Sequence, residues 1–485
     1  MRRGSEYLGN VLVLGLGKSG KAVARYCAEL LGTRRVDGLF IAAGERTADA
    51  EEFLASIDRP GVGFAFGDDA LEGPGTGFDL CIASPGIPFW HELYLSAIAQ
   101  SVELISEVEF AWRESDENST WVAITGTNGK TTTTALTAHV LKECGLAAAA
   151  VGNIGDVCLD AVAGGGTDVY VAEVSSYQLY STIDFTPDVA VMLNITPDHL
   201  HWHQTLEAYA EAKFNILHGN RVAILDATND VVREKVRELK AEGANYIPLG
   251  TADGIEGDMR ARCGSPNAAF IGEEGALTVA FDGTEHIVGA VSDLKIKGAH
   301  NASNALAAAA VAVALGLDDA RVADALAGFA PLEHRIEPCG SVEGVECYND
   351  SKATNVDAAV KALEAFPGKR VIVLLGGDDK GTDLSDLVAS AHAHAFAAVC
   401  FGSAGPRIHE AFEASAGNAP DGFSLLRANR MEDALDVALG HAEAGDIVLL
   451  SPACASFDEF RSFEQRGDVF KGFVAHRAAQ VKKGA

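Results

Sequence analysis

Apolar runs of four to six residues recur along the chain, and most lead into glycine-rich polar loops followed by helical patterns. Val11-Leu12-Val13-Leu14 runs into Gly15-x-Gly17-x-x-Gly20 and then a helical stretch through Ala22 to Leu30. Gly38-Leu39-Phe40-Ile41 and Phe78-Asp79-Leu80-Cys81-Ile82 read as two more buried strands, the second ending in Ala83-Ser84-Pro85-Gly86. Trp121-Val122-Ala123-Ile124 leads to another glycine-punctuated loop, and Leu136, Val140 and Leu141 then share one helical face. The strands Asp168–Ala172, Val189–Leu193, Val371–Leu375, Ala397–Phe401 and Ile447–Leu450 follow the same plan. Strands alternating with helices predict parallel sheets, with ligand loops at the carboxyl ends of the strands. Residues 250–290 break the pattern. They are rich in Gly, Asp and Glu and read as a peripheral β region. The polar stretch Arg113–Ser119 reads as a linker between domains.

At 485 residues the chain is long enough for about three domains. With 48% hydrophobic and 22% charged residues, it is globular rather than disordered. No apolar run reaches the ~18 residues needed to span a bilayer. Met1-Arg2-Arg3 is not followed by an apolar core of signal-peptide length, so the cytoplasm is the expected compartment. The nine cysteines are scattered and include no C-x-x-C pair, which points to reduced thiols rather than disulfides or zinc. A net charge of −30 argues against nucleic acid or an anionic membrane as a partner. An anionic substrate must then be met by locally placed Lys, Arg and helix N-termini.

The strongest candidate chemistry is Thr125-Gly126-Thr127-Asn128-Gly129-Lys130-Thr131-Thr132. Strand, glycine loop and helix frame a phosphate site, where backbone N–H groups and the helix N-terminus attract anions. Lys130 is placed to reach the β- and γ-phosphates and the Thr131 hydroxyl to reach Mg²⁺. Ile124 stands where the common motif has its first glycine. The reading is an ATP or GTP user.

Other loops are less specific. Gly15–Gly20 suggests a dinucleotide site, but the acidic residue expected after the second strand is absent there and Ala42 follows instead. A nucleotide-sugar diphosphate is the safer reading. Glu173 ends a strand near the phosphate loop, where Mg²⁺ would be held. His199, His201 and His203 follow another strand, so zinc is a first thought, although a magnesium-phosphate site borrowing one histidine fits better. Lys213, on a predicted helix, reads by itself as a solvated lysine. The amides Asn301 and Asn304 open an alanine-rich helix and either cap it or touch a base. Cys454 has no histidine in its own stretch to activate it.

At these residues the chain resembles the Mur ligases, from Gly15 to Arg466. The matching stretches are Thr125–Thr131, Gly152-Asn-Ile-Gly155, Glu173-Val-Ser-Ser176, Thr196-Pro-Asp-His199, His334-Arg335, Asn349–Asn355, Gly376-Gly-Asp378 with Lys380, Ser451–Ser456 and Phe463–Arg466. The last group resembles the D-glutamate-adding (MurD) type in particular. The resemblance implies an α/β protein of three domains. These are a Rossmann-like UDP-substrate domain (1–112), a central P-loop ATP domain with a parallel sheet (113–332) and a Rossmann-like amino-acid domain (333–485).

The implied reaction joins D-glutamate to UDP-N-acetylmuramoyl-L-alanine through an acyl phosphate, with ATP and two Mg²⁺, in peptidoglycan precursor synthesis by a monomer. It implies Thr131, Glu173, His199 and a carbamylated Lys213 as magnesium ligands. Asn153, Ser175 and His199 would hold the muramoyl-peptide end, and Lys18, Ser19, Gly20 and Gly86 the UDP end. Gly126 to Thr132, Asn301, Asn304, Arg335, Asp350 and Lys352 would contact ATP. Thr354, Lys380, Ser456 and Phe463 would place D-glutamate. Glu45 or Arg46 would serve in place of an acid at Ala42. Other ligases of the fold, a Rossmann oxidoreductase and a P-loop switch are the competing classes. The Asp-Asn-Pro-Arg signature of the diamino-acid ligases is absent.

Overall fold

A computed structural model describes residues 1–72, 77–250, 265–379 and 381–484. They fall into two compact units, Met1–Asp293 with Ser303–Ala327, and Leu294–Ala302 with Gly328–Ala485.

The first unit holds two sheets. The first comprises β1 (Gly9–Leu14), β2 (Val36–Ala43), β3 (Val62–Phe66), β4 (Phe78–Ala83) and β5 (Ser101–Ser106). All pairings are parallel, in the order β3-β2-β1-β4-β5. The order reverses between β1 and β4, so the loops after these two strands flank a crevice of the kind that takes ligands in open α/β sheets. Those loops carry Gly15–Gly20 and Ser84–Gly86. Gly20 is required by a close approach, since a Cβ there would lie 1.9 Å from the Gly15 carbonyl oxygen.

The second sheet comprises β6 (Thr120–Thr125), β7 (Ala148–Gly152), β8 (Val169–Glu173), β9 (Val189–Met192), β10 (Val222–Asp226), β11 (Tyr246–Leu249), β12 (Ala268–Ile271), β13 (Ala276–Phe281) and β14 (Thr284–Ala290). The order is β14-β13-β12-β11-β10-β9-β6-β8-β7. Strands from β7 to β12 run parallel, and β12, β13 and β14 form an antiparallel extension. The expected peripheral β region is this extension, and residues 251–264 lie outside the described residues. Strand β6 lies between β8 and β9, with Trp121, Val122, Ala123 and Ile124 fully buried. A parallel strand covered on both faces needs a continuous apolar run, which is what the sequence supplies.

In the stretch expected as a linker, Asp116, Glu117 and Asn118 are exposed, but its first two charges are not solvated. Arg113 and Glu114 end the helix Glu107–Glu114. Arg113 forks onto Glu103 at 2.7 and 2.8 Å. Glu114 receives both terminal nitrogens of Arg35 at 2.7 Å each. These charges are neutralised by partners distant in sequence rather than by water. The same helix fastens the two sheets of the unit together. The Glu107 carboxylate accepts from Leu159 N at 2.8 Å, and Glu109 accepts from Ile183 N and Asp184 N at 2.5 and 2.9 Å.

The second unit is built on β15 (Glu337–Val342), β16 (Val345–Asn349), β17 (Val371–Gly376), β18 (Ala397–Phe401), β19 (Ser424–Arg427) and β20 (Ile447–Ala453). The order is β15-β16-β20-β17-β18-β19, parallel apart from the β15–β16 hairpin. Loops Asp350–Asn355, Gly377–Asp379 and Cys454–Ser456 follow β16, β17 and β20 at one end of the sheet. Among the described residues no helix is long and apolar enough to cross a membrane.

Candidate active site

The loop after β6 is held rigidly by its neighbours. Thr127 N donates to the Asn194 carbonyl at 2.6 Å, and Asn128 N to the Asn194 side chain at 2.9 Å. The Thr127 hydroxyl lies 3.1 Å from the Tyr209 hydroxyl. Gly129 takes φ +84°, and a Cβ there would meet Asn304 Oδ1 at 2.6 Å. Asn304 is buried and accepts from the Thr133 hydroxyl at 3.1 Å. It touches the helix Lys130–Glu143 beside the loop from the second turn of its own helix, Ala299–Ala314. Lys130 folds back on the loop, donating to the carbonyls of Gly126 at 3.0 Å and Thr127 at 2.9 Å. Thr131 and Thr132 lie in the first turn of that helix, half-buried and buried respectively.

Lys213 reaches the same loop. Its helix, Leu206–Phe214, buries it completely, and its ammonium donates to Gly126 O at 2.7 Å and Thr125 Oγ1 at 3.2 Å. Burial holds the amine well below the usual lysine range, and the Lys130 charge adds to this while Asp198 and Glu173 oppose it. The local reading of Lys213 as a solvated lysine is therefore corrected. A buried long side chain of this kind serves a function or a partner rather than solubility.

Glu173 ends β8 opposite Ile124 of β6, almost fully buried. Its Oε1 accepts from Asn153 Nδ2 at 2.9 Å, while Oε2 is buried with no hydrogen-bond partner among the described residues. An orphaned carboxylate oxygen is costly unless a cation or donor meets it. That oxygen, the Thr131 hydroxyl and the oxygen-rich loop suit a hard cation such as Mg²⁺. Zinc fits less well: among the described residues no three His, Cys, Asp or Glu side chains gather as a metal cage. His203 Nε2 is committed to the Ser176 hydroxyl at 2.8 Å, and burial pushes the ring down to about 4. His199 stands at φ +56° with Nε2 3.6 Å from Asp198. Ser175 caps the helix Ser176–Tyr180 in a reciprocal box with Gln178.

At the first sheet, Lys18 and Gly86 are exposed and Ser19 is half-buried, around the β1–β4 crevice. Ala42 is buried, and its carbonyl accepts from Gly15 N at 2.7 Å. Glu45 is exposed, while Arg46 is drawn to Glu51 at 2.6 Å.

In the second unit Asp350 is buried, with Ile336 N at 3.2 Å and the Ser451 hydroxyl at 2.7 Å on its two oxygens. Burial raises it to about 7, against the pull of Ser451 and Arg335. Lys352 sits 3.8 Å from the centre of the Phe463 ring. Thr354 is half-buried and Ser456 buried on the neighbouring loops. Asn301 donates to Lys297 O at 2.7 Å. Lys380 lies outside the described residues. Cys454 is buried and pushed up to about 12 by that burial, so it does not serve as a nucleophile.

Sequence reasoning gave no role to Arg466, which lies fully buried among these loops. Its side chain donates to Ser351 Oγ and O at 2.8 Å each, to Cys454 O at 3.1 Å and to Ala455 O at 3.0 Å. Tyr209, one helical turn before Lys213, and Asn194 went unassigned too. Their only signal was proximity to motifs already marked.

The loop after β6, the paired lysines and the parallel sheets form a phosphate-binding site of the kind that nucleotide-using α/β enzymes carry. Residues 124–312 match the Mur ligase middle domain and residues 334–454 the Mur ligase, glutamate ligase domain. The chain is 36% identical over 475 residues to the UDP-N-acetylmuramoylalanine--D-glutamate ligase of Salinibacter ruber, covering 95% of this chain and 96% of that protein. It is 35% identical over 480 residues to the ligase of the same name from Koribacter versatilis, covering 98% of each. Among solved structures, the UDP-N-acetylmuramate-alanine ligase of Thermotoga maritima shares the fold, with a TM-score of 0.55 at 18% identity over 98% of this chain and 99% of that one. The ADP-complexed folylpolyglutamate synthase of Mycobacterium tuberculosis does so with a TM-score of 0.55 at 17% identity, over 76% and 92%. The chain belongs to the Mur ligase family.

Proposed function

We propose that this protein joins D-glutamate to UDP-N-acetylmuramoyl-L-alanine with conversion of ATP to ADP and phosphate, as a cytoplasmic monomer that engages neither nucleic acid nor membrane. The observation that carries the reading is the meeting of Lys130 and Lys213 at one phosphate loop, next to a strand that ends in the half-partnered Glu173. Near full-length likeness to D-glutamate ligases supports the choice of amino acid.

In the first step a carboxylate oxygen of the alanyl group attacks the γ-phosphorus. The bond from that phosphorus to ADP breaks, leaving an acyl phosphate. Two anions must meet, so charge has to be neutralised. Lys130, released from its loop carbonyls, takes the β/γ-phosphate oxygens, and the N–H groups of Gly129 to Thr132 hold the rest, on a loop that Asn194 fixes through Thr127 and Asn128. Asn304 fixes the loop, while Asn301, Arg335, Asp350 and Lys352 contact the nucleotide. Thr131, Glu173, His199 and Lys213 would hold two Mg²⁺ ions, which would supply further positive charge. Lys213 joins this set as a carbamate: its neutral amine adds to CO₂, a C–N bond forms, one proton leaves, and the product carries carboxylate-like oxygens.

Asn153, Ser175 and His199 orient the muramoyl end. Lys18, Ser19, Gly20 and Gly86 hold the UDP end. In the second step the D-glutamate amine attacks the acyl carbon, loses a proton and expels phosphate. Thr354, Lys380, Ser456 and Phe463 place this amino acid.

ADP release, measured with ATP, Mg²⁺ and UDP-N-acetylmuramoyl-L-alanine, tests the reading. Turnover is expected with D-glutamate and not with L-glutamate, L-alanine or diamino acids. Turnover with a different amino acid overturns the assignments in the second unit.

A further inference from the structure

Three segments given substrate roles above are joined by one aromatic cluster that no role yet explains. Phe89 lies three positions after Gly86, in the loop at the UDP end. Tyr180 closes the short helix that starts beside Ser175. Trp202 lies three positions after His199. Phe89 stacks on Tyr180 with ring centres 4.7 Å apart and planes at 26°. Trp202 meets both edge-on, at 5.2 Å from each. Trp202 also packs at 4.9 Å against Tyr177, which lies 5.1 Å from the His199 ring. The contacts therefore run without a gap from the loop of Gly86 to His199.

The cluster has a second property. Trp202 is buried, yet its indole N–H has no acceptor among the described residues. Its contribution lies in ring packing and not in a hydrogen bond. Tyr180 is 39% exposed, so its truncation opens to solvent rather than leaving a closed cavity. Edge-on and offset contacts of this kind fix relative orientation as well as burying area.

We propose that Phe89, Tyr180 and Trp202 form a positioning element that sets the span between the diphosphate loop and the acyl-activating site. Binding energy from the remote UDP moiety would thereby be converted into alignment of the alanyl carboxylate. This inference rests on the reaction proposed above. Binding energy from a non-reacting part of a substrate raises kcat only when a rigid connection carries it to the reacting centre.

The test compares ADP release, with D-glutamate, on UDP-N-acetylmuramoyl-L-alanine and on N-acetylmuramoyl-L-alanine lacking the nucleotide. Wild-type turnover of the intact substrate checks the reaction itself, and its absence removes this inference along with that reading. Given wild-type turnover, Tyr180→Ala is expected to lower kcat/KM for the intact substrate by about tenfold, mostly through kcat. The KM for ATP stays unchanged, and the preference for the intact over the truncated substrate shrinks by the same factor. Tyr180→Phe restores the preference. Trp202→Phe, which keeps an aromatic ring but is smaller and lacks the N–H, is expected to retain most of the preference for the intact substrate, whereas Trp202→Leu behaves as Tyr180→Ala. An equal loss on both substrates, or none, overturns the proposal. So does a Trp202→Phe variant that folds but is as impaired as Trp202→Leu.

Discussion

Lys130 and Lys213 donate to the same atom, the carbonyl oxygen of Gly126, at 3.0 and 2.7 Å. Two ammonium groups on one acceptor repel each other, and the buried one yields its proton more readily. That one is Lys213, held well below the usual lysine range by burial first and by Lys130 second. A neutral amine is the form that adds to CO₂. Lys213→Ala is expected to lose nearly all ligase turnover and to recover part of it when acetate or formate is added. Lys213→Arg, whose guanidinium stays charged and does not form a carbamate, is expected to be inactive with or without them. ADP release across a series of carboxylate concentrations decides the matter. Absence of recovery at every concentration would remove the carbamate role.

Lys130→Ala is expected to abolish turnover while leaving the Kd for UDP-N-acetylmuramoyl-L-alanine within about threefold of wild type, a change of under 1 kcal/mol. The reason is spatial: Lys130 donates to the carbonyls of Gly126 and Thr127 in the loop after β6, whereas Lys18 and Ser19 open the helix after β1 and Gly86 lies after β4, both strands of the other sheet. Calorimetric titration with the nucleotide sugar provides the check. A large loss of affinity would mean that the two ligands share one site.

Glu107 gives a pH signature to stability. Burial raises its carboxyl to about 7, against the Leu159 N–H that favours the ionised form. The unfolded chain ionises near the ordinary value, about 4.3. Between those two values the folded protein binds the extra proton, so stability falls as pH rises through this window and then levels off. Glu107→Gln keeps an acceptor for Leu159 and never ionises. Its melting temperature is expected to match wild type near pH 5 and to exceed it near pH 8, by at most roughly 3 kcal/mol of stability. Thermal melts at the two pH values decide. A variant less stable than wild type at pH 8 would show that the ionised carboxylate is favoured here.

What could be read from sequence follows from how local each cause is. Trp121–Ile124 and Val11–Leu14 announce themselves because parallel strands with both faces covered must be apolar throughout. The phosphate loop is equally local, with strand, glycines and lysine in one short stretch. Lys213 was not readable from its own helix, because what buries it is Thr125 and Gly126, 88 and 87 positions away. The stretch Arg113–Ser119 reads as a polar linker, and the pairing of Glu114 is not legible in it because Arg35 lies 79 positions away. The sequence shows a charge, but only the fold shows what neutralises it.

Arg466 is the sharpest case of this kind and carries the last prediction. All five of its N–H donors are used, yet no acceptor is a carboxylate: two bonds go to Ser351, two to Cys454 O and one to Ala455 O. Burial lowers the guanidinium to about 10, so it stays charged near neutral pH. From 115 positions beyond Ser351, the side chain thus locks the loop carrying Lys352 and Thr354 to the loop carrying Ser456. Gly467 beside it leaves room for His334, whose Nδ1 would lie 2.2 Å from a Cβ there. Lysine supplies three donors from one point and does not reproduce the fork. Arg466→Lys would therefore leave at least one buried carbonyl unpaired, at about 1–3 kcal/mol each. The expected outcome is a modest fall in melting temperature together with a rise in KM for D-glutamate of about 10-fold to 100-fold. The KM for UDP-N-acetylmuramoyl-L-alanine, which is held by other loops, is expected to stay unchanged. Steady-state kinetics with each substrate varied in turn separates the two. An equal rise for both would show that Arg466 supports the unit as a whole and not the amino-acid loops.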